Sequence, residues 1–451
     1  MTDAAALTAP GPWRREAAAL LAMGGPLIAA QLATMAIQTT DMIMIAWLGP
    51  TPLASGALAT SLLHPFVMLG MGVVTASAPL VAAAIGARRR RDARRAVRQG
   101  LWAAIALALV CTPLLTFGEP ILLALGQDAA VAAGSGAYLR VAAFAFLPMI
   151  AFPALRGFLA AHGETRVVLW ATLVGVAVNA LGNYLLIFGS FGFPRLELAG
   201  AGVSTLLTHA AIFGVVAVHA ARRHRRYALF ARFHRADWAK FRAIFRLGTP
   251  IGLMMTAETG MFAGAAMLIG WIGPEALAAH AAAVQIASIS FMAPLGFSHA
   301  TTVRVGLAAG ERDAGAVARA AWLSLTLTCG FMAGVAALFL LAPQALIGLF
   351  LARDEAAAAF GLAVGYLGVA ALFQLVDGAQ VSAAASLRGL GDTRAPMLIA
   401  IAGYWVVGFP AAWLLAFPAG LEGVGVWLGL ALGLATAAAL LIARMAQMLR
   451  R

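Results

Sequence analysis

Apolar runs recur along the whole chain, separated by short polar stretches rich in arginine and glycine. Many are about 18 residues or longer, more than a buried core helix needs and enough to cross a bilayer. The pattern predicts twelve helices, at roughly 17–47, 54–84, 98–118, 135–160, 166–189, 199–221, 244–272, 278–308, 317–341, 360–387, 394–416 and 422–447. Segments 1, 2, 7 and 8 are long and are expected to tilt or bend. Pro26, Pro65, Pro250 and Pro294 lie inside apolar runs and are expected to kink them. The opening "PWRREAAALLAMGGPLIAAQL" superficially resembles a secretion signal. The apolar pattern runs on past residue 40, so it reads as a first spanning helix.

Composition narrows the class. Of 451 residues, 62% are hydrophobic and 11% charged, against about 25% charged in soluble domains. That excludes an alanine-rich soluble enzyme. A formal charge of +13 would point to nucleic acid in a soluble protein. Here the charges cluster between the apolar runs. The loops after even-numbered segments, with the adjoining helix ends and both termini, hold 28 of the 31 Lys and Arg residues; the others are Arg140, Arg195 and Arg353. The positive-inside rule then places both termini in the cytoplasm, and no nucleic-acid partner is expected. The basic run at 88–98 can also meet anionic lipid headgroups. Cys111 and Cys329 lie in apolar stretches and make no disulfide framework.

The second half of the chain echoes the first. "GGPLIAAQ…WLGPTPLA" has the counterpart "GTPIGLMM…WIGPEALA". At an offset of 224, Gly72 meets Gly296, Gly86 meets Gly310 and Arg88 meets Arg312. Further on, at an offset of 228, "AYLRVAAF" meets "GYLGVAAL" and "FLAAHGETR" meets "SLRGLGDTR". The expected organisation is a six-helix lobe at 1–221, a basic cytoplasmic linker at 222–243 and a second six-helix lobe at 244–451. Two like-oriented repeats suit alternating-access transport.

Three acidic residues fall inside spans: Asp41, Glu258 and Asp377. Each costs about 2.5–3.5 kcal/mol at mid-bilayer, and intramembrane acids usually mark ion or proton routes. Glu258 is 12 residues beyond Arg246 and Asp377 is 11 before Arg388, or about 18 and 16 Å of helix. With both arginines taken as surface markers, the two acids share a depth near mid-membrane. Asp41 is nine residues before Pro50, about 13 Å from the outer end of its helix. Two carboxylates close together in a low dielectric hold a proton or a hard cation such as Na⁺. Glu258 and Asp377 are the expected metal ligands if the ion is sodium, with Asp41 as a further cation or proton site. A cationic solute would compete for the same seat.

Candidate solute contacts are Phe262, Met261, Phe373, Gln380, Gln285 and Asn179, with routine membrane packing the competing reading for each. Met254, Met255, Gln38 and Asn183 are weaker neighbours of the acids. His64, His209, His280 and His299 show no metal spacing. Walker-type, HExxH and CxxC stretches are all absent, so neither ATP drive nor an enzyme is expected. No cofactor is expected beyond Na⁺ or H⁺ as the coupling ion.

The residues reached resemble the multidrug and toxic compound extrusion (MATE) family, in its NorM-like branch. The resemblance rests on "TTDMIMIAWLGP", "RGFLAAHGETR", "NALGNYLLIFG", "ETGMF", "VDGAQ", "LRGLGDTR" and "GYWVVGFPAAWLLAF", spread over nearly the whole chain. It implies an all-α membrane protein of twelve transmembrane helices in two pseudo-symmetric lobes, V-shaped. It implies export of small organic cationic drugs in exchange for Na⁺ or H⁺, by a monomer in the bacterial inner membrane. The helix 7 and helix 10 acids of that branch match Glu258 and Asp377, and the helix 1 acid matches Asp41. Asp354 and Glu355 resemble outer-loop acids that contact drug. The branch often has an aromatic hydroxyl one turn before the helix 10 acid; this chain has Phe373 there. The alternatives are a flippase for lipid-linked precursors, whose relatives favour a cationic cavity, and a passive channel.

Overall fold

A computed structural model of the chain describes residues 11–231, 233–235, 237–351 and 356–450. Among these, all regular structure is helical. Twelve helices are long and apolar enough to cross a membrane: α1 Pro12–Ala46, α2 Pro50–Gly86, α3 Arg90–Thr116, α4 Ala129–Ala161, α5 Thr165–Phe188, α6 Glu197–Arg223, α7 Trp238–Ile272, α8 Pro274–Glu311, α9 Ala314–Leu341, α10 Ala357–Gly389, α11 Arg394–Ala416 and α12 Glu422–Leu449. Several start earlier than their apolar runs. α3 begins at Arg90 rather than near 98, and α7 at Trp238 rather than 244. Arginine and lysine are good helix formers, so the helix continues into water after the apolar run has stopped.

The irregularities fall just before other prolines, Pro79, Pro148 and Pro410, and not at the four expected to kink their helices. Pro26, Pro65, Pro250 and Pro294 all sit inside unbroken helical runs. Instead α2 is interrupted at Ala76, α4 carries a 3-10 turn at Ala143–Ala145, and α11 a π-helical turn at Ala402–Gly408.

The sequence repeat is also a backbone repeat. Left-handed positions recur in pairs: Gly49 with Gly273, Arg88 with Arg312, Gly163 with Gly391 and Glu197 with Glu422. The first pair precedes Pro50 and Pro274, each opening a helix where its missing N–H is not needed. Short helices at Gly118–Ala124 and Pro343–Ile347 occupy equivalent places after α3 and α9.

The chain forms two compact units, one of residues 1–28 with 257–451, the other of residues 29–256. They depart from the two sequence halves, because the first parts of α1 and α7 are exchanged. Within the second unit, α7 crosses α2 where a Cβ on Gly72 would run into the Gly252 backbone, and one on Gly248 into that of Val73. Within the first, α1 crosses α8 at the equivalent residues: a Cβ on Gly296 would lie 2.6 Å from the Ile28 Cα, and one on Gly24 2.5 Å from the Phe297 ring. Small residues let the backbones meet this closely. Arg304 of α8 also donates to the buried Glu16 of α1 at 2.8 Å.

In the residue 29–256 unit the basic stretch after α6 folds back on the helix ends. The Trp102 indole donates to the Phe233 carbonyl at 2.8 Å, with the two rings stacked. Glu164 Oε2 meets His219 Nε2 at 2.8 Å and His224 Nε2 at 3.1 Å.

Candidate functional site

Each unit holds its own acidic centre. In the residue 29–256 unit, Asp41 of α1 faces α5. The side-chain amides of Asn179 and Asn183, one turn apart, both donate to its Oδ1, at 2.7 and 2.6 Å. Both asparagines are fully buried, and the carbonyl oxygen of each has no partner among the described residues. The Ser204 hydroxyl donates to the Asn179 backbone carbonyl at 3.1 Å, fixing α5 against α6. The Asp41 charge also reaches Tyr138 on α4. Asn179, a candidate solute contact, is thus a partner of Asp41 in this state.

In the other unit, Glu258 of α7 and Asp377 of α10 are brought close enough for the Glu258 charge to act on Asp377. Asp377 is buried and Glu258 half-buried. Helical spacing explains what flanks Asp377. Gln374 and Gln380, one turn to either side, are both completely buried. Gln374 donates to the Ser290 hydroxyl at 2.7 Å, and its oxygen has no partner among the described residues. Neither amide atom of Gln380 has a partner among the described residues. Phe373 packs edge-on to Phe262 at 5.8 Å between ring centroids and to Trp427 at 5.9 Å.

The other candidates spread out. Met261 is fully buried, while Phe262 and Gln285 are half-buried. Asp354 and Glu355 lie outside the described residues. Arg388 is more than the surface marker it was taken for. Its Nε is buried without a partner among the described residues, and its charge reaches Glu258.

Two further residues at this centre escaped the sequence reading, Tyr404 and Trp405 in the π-helical turn of α11. Tyr404 is completely buried with its hydroxyl unpaired among the described residues, and both carboxylate charges reach it. The Trp405 indole donates to the carbonyl of Ala257, the residue before Glu258, at 3.2 Å. The sequence carried no local signal for Tyr404, since four of the five tyrosines fall inside the predicted spans. Two carboxylates among buried polar atoms with no partner among the described residues form an acidic centre able to hold a cation or a proton.

Comparison with known proteins agrees with this architecture. The MatE family model matches residues 26–185 and again 250–414, once in each half. A protein named "Probable multidrug resistance protein NorM" from Mesorhizobium japonicum is 45% identical over 98% of this chain and 96% of its own. A protein of the same name from Brucella suis is 44% identical over 96% and 93%. Among solved structures, a MATE protein crystallised in complex with MaL6 superposes with a TM-score of 0.88 at 20% identity, over 96% of each chain.

Proposed function

The chain belongs to the MatE family of multidrug and toxic compound extrusion transporters, and from that premise we propose that it is a secondary antiporter exporting organic cationic drugs in exchange for Na⁺ or H⁺. The observation that carries this reading is that Glu258 and Asp377 lie inside one unit, close enough for the Glu258 charge to act on Asp377. A second carboxylate nearby raises the cost of leaving both ionised and empty in a low dielectric. The pair therefore favours a bound proton, a small cation or a cationic solute. These bind by exclusion, so the ion moving in displaces the solute moving out. Each occupant biases the inward- or outward-open state only by its differential affinity for the two.

Asp41 supports the cycle as a second acidic centre, its geometry set by Asn179 and Asn183. Asp354 and Glu355, in the stretch before α10, complete the proposed solute contacts. The site lies in the plasma membrane, and one chain carries the whole machinery.

The test is efflux of a fluorescent organic cation from proteoliposomes under separately imposed Na⁺ and pH gradients. Glu258→Gln and Asp377→Asn are each expected to abolish gradient-driven export while leaving a folded protein. Full export in both variants, or conductance without a counter-ion, removes the mechanism.

A further inference from the structure

The turn Ala402–Gly408 is the one π-helical stretch among the described residues. Such turns are rare and concentrate at functional sites. Here α12 holds it tightly. A Cβ on Gly403 would lie 2.9 Å from the Ala437 Cβ and from the Gly433 carbonyl oxygen, and one on Gly408 3.1 Å from the Gly433 Cα. Packing on this side leaves the turn little freedom to shift.

On its other side the turn meets α7. Trp405 donates its indole N–H to Ala257, and its ring lies over Gly260, where a Cβ would stand 3.2 Å from it. The contact brackets Glu258 along the helix. The neighbouring Tyr404 is wholly buried, and its hydroxyl meets no donor or acceptor among the described residues. A buried hydroxyl left unpaired is costly, and in a native protein it calls for an explanation such as an ion or water. The acidic centre supplies one, since both carboxylate charges extend to this oxygen. A hard cation leaving water needs several oxygens in place of its hydration shell, and two carboxylates alone are a sparse set.

We propose that the Tyr404 hydroxyl is the third protein oxygen of the Glu258–Asp377 seat, and that Trp405 is a positioning residue holding α7 so that Glu258 meets it. The inference rests on the reading of those carboxylates as the coupling-ion site, and it takes Na⁺ as an ion that the seat accepts. Tyr404 does not ionise in this scheme; its oxygen lone pair faces the ion and its proton points away.

The test measures ²²Na⁺ binding to the full chain in nanodiscs at fixed pH, beside thermal melting without Na⁺. Wild type is expected to bind and Glu258→Gln to lose binding. Tyr404→Phe is expected to weaken binding about tenfold, the scale of one lost ligand contact. Its melting midpoint without Na⁺ should stay at or above that of wild type, because the removed hydroxyl had no partner to lose. Trp405→Phe is expected to raise the half-saturating Na⁺ about threefold at unchanged maximal export. Tyr404→Phe affinity within about twofold of wild type, or a lowered melting midpoint with intact binding, overturns the assignment. A wild type that binds no Na⁺ overturns it too, while leaving proton-coupled export intact. Undiminished binding in both Glu258→Gln and Asp377→Asn instead sinks the seat itself.

Discussion

Asp41 shows how much a single side chain depends on partners far away in sequence. Its Oδ1 takes two amide donors from residues 138 and 142 positions away, and hydrogen bonds to a charged group contribute about 1.5–3 kcal/mol each. Asn183→Leu removes one and is expected to lower unfolding stability by roughly that amount. Denaturant titration in detergent checks it, and an unchanged midpoint would mean that Asp41 does not rely on the amide. The carboxylates themselves were legible in the sequence, because an acid in an apolar run stands out by its insertion cost. Their partners were not. Nothing local marks Asn179 and Asn183 as donors to α1, or distinguishes Tyr404 from a packing aromatic. The sequence distance between Asp377 and Arg388 likewise hid the reach of that arginine to Glu258, which lies on a different helix.

The helices were the most legible feature, since length and apolarity alone decide which segments cross a bilayer. Hydropathy reports the lipid, though, and the helices outrun it at their basic ends. Proline was a better guide than the four positions singled out: the breaks fall just before Pro79, Pro148 and Pro410 instead. Neighbouring packing can absorb a missing N–H in a spanning helix, and it is α11, with glycines against α12, that adopts the π turn. The stretch after α6 is another element whose state depends on side chains. His162 Nδ1 donates to the Phe158 carbonyl at 2.9 Å, leaving Nε2 to accept from the Tyr227 hydroxyl at 3.0 Å. Burial holds His162 below its ordinary 6.5 against the raising effect of its hydrogen bond to the Phe158 carbonyl, with a smaller lowering effect from the adjacent His224 and a still smaller raising one from Glu164. At Glu164 burial pushes upward, but hydrogen bonds from His219 and His224 outweigh it and hold the carboxyl below 4.5. A lowered histidine favours the folded state fully above 6.5, and that contribution is lost as the pH falls below it. Hydrogen exchange at residues 224–231, corrected for intrinsic rates, is therefore expected to rise between pH 7.5 and 5.5. In His162→Phe that rise should vanish; its persistence would assign it to another group.

At the scale of the molecule, the repeat was readable from offsets of 224 and 228, but the exchange of first half-helices was not. Equivalent residues in two repeats look alike wherever they pack, so the pattern does not say which partner each one chooses. One consequence concerns cutting the chain. Residues 1–237 and 238–451 made separately each lack a piece of a compact unit. Alone, each is expected to be degraded; made together, they should co-purify and restore export. Accumulation of either half as a folded monomer would show that the exchange is dispensable. A second consequence concerns birth order. Glu16 and its partner Arg304 are 288 residues apart. At about 5–20 residues per second, the opening helix leaves the ribosome and stands in the bilayer for some tens of seconds before its permanent neighbour has been made. Through that interval Glu16 goes without the guanidinium that later pairs with it, so a helix made well before α8 is among the last to be settled.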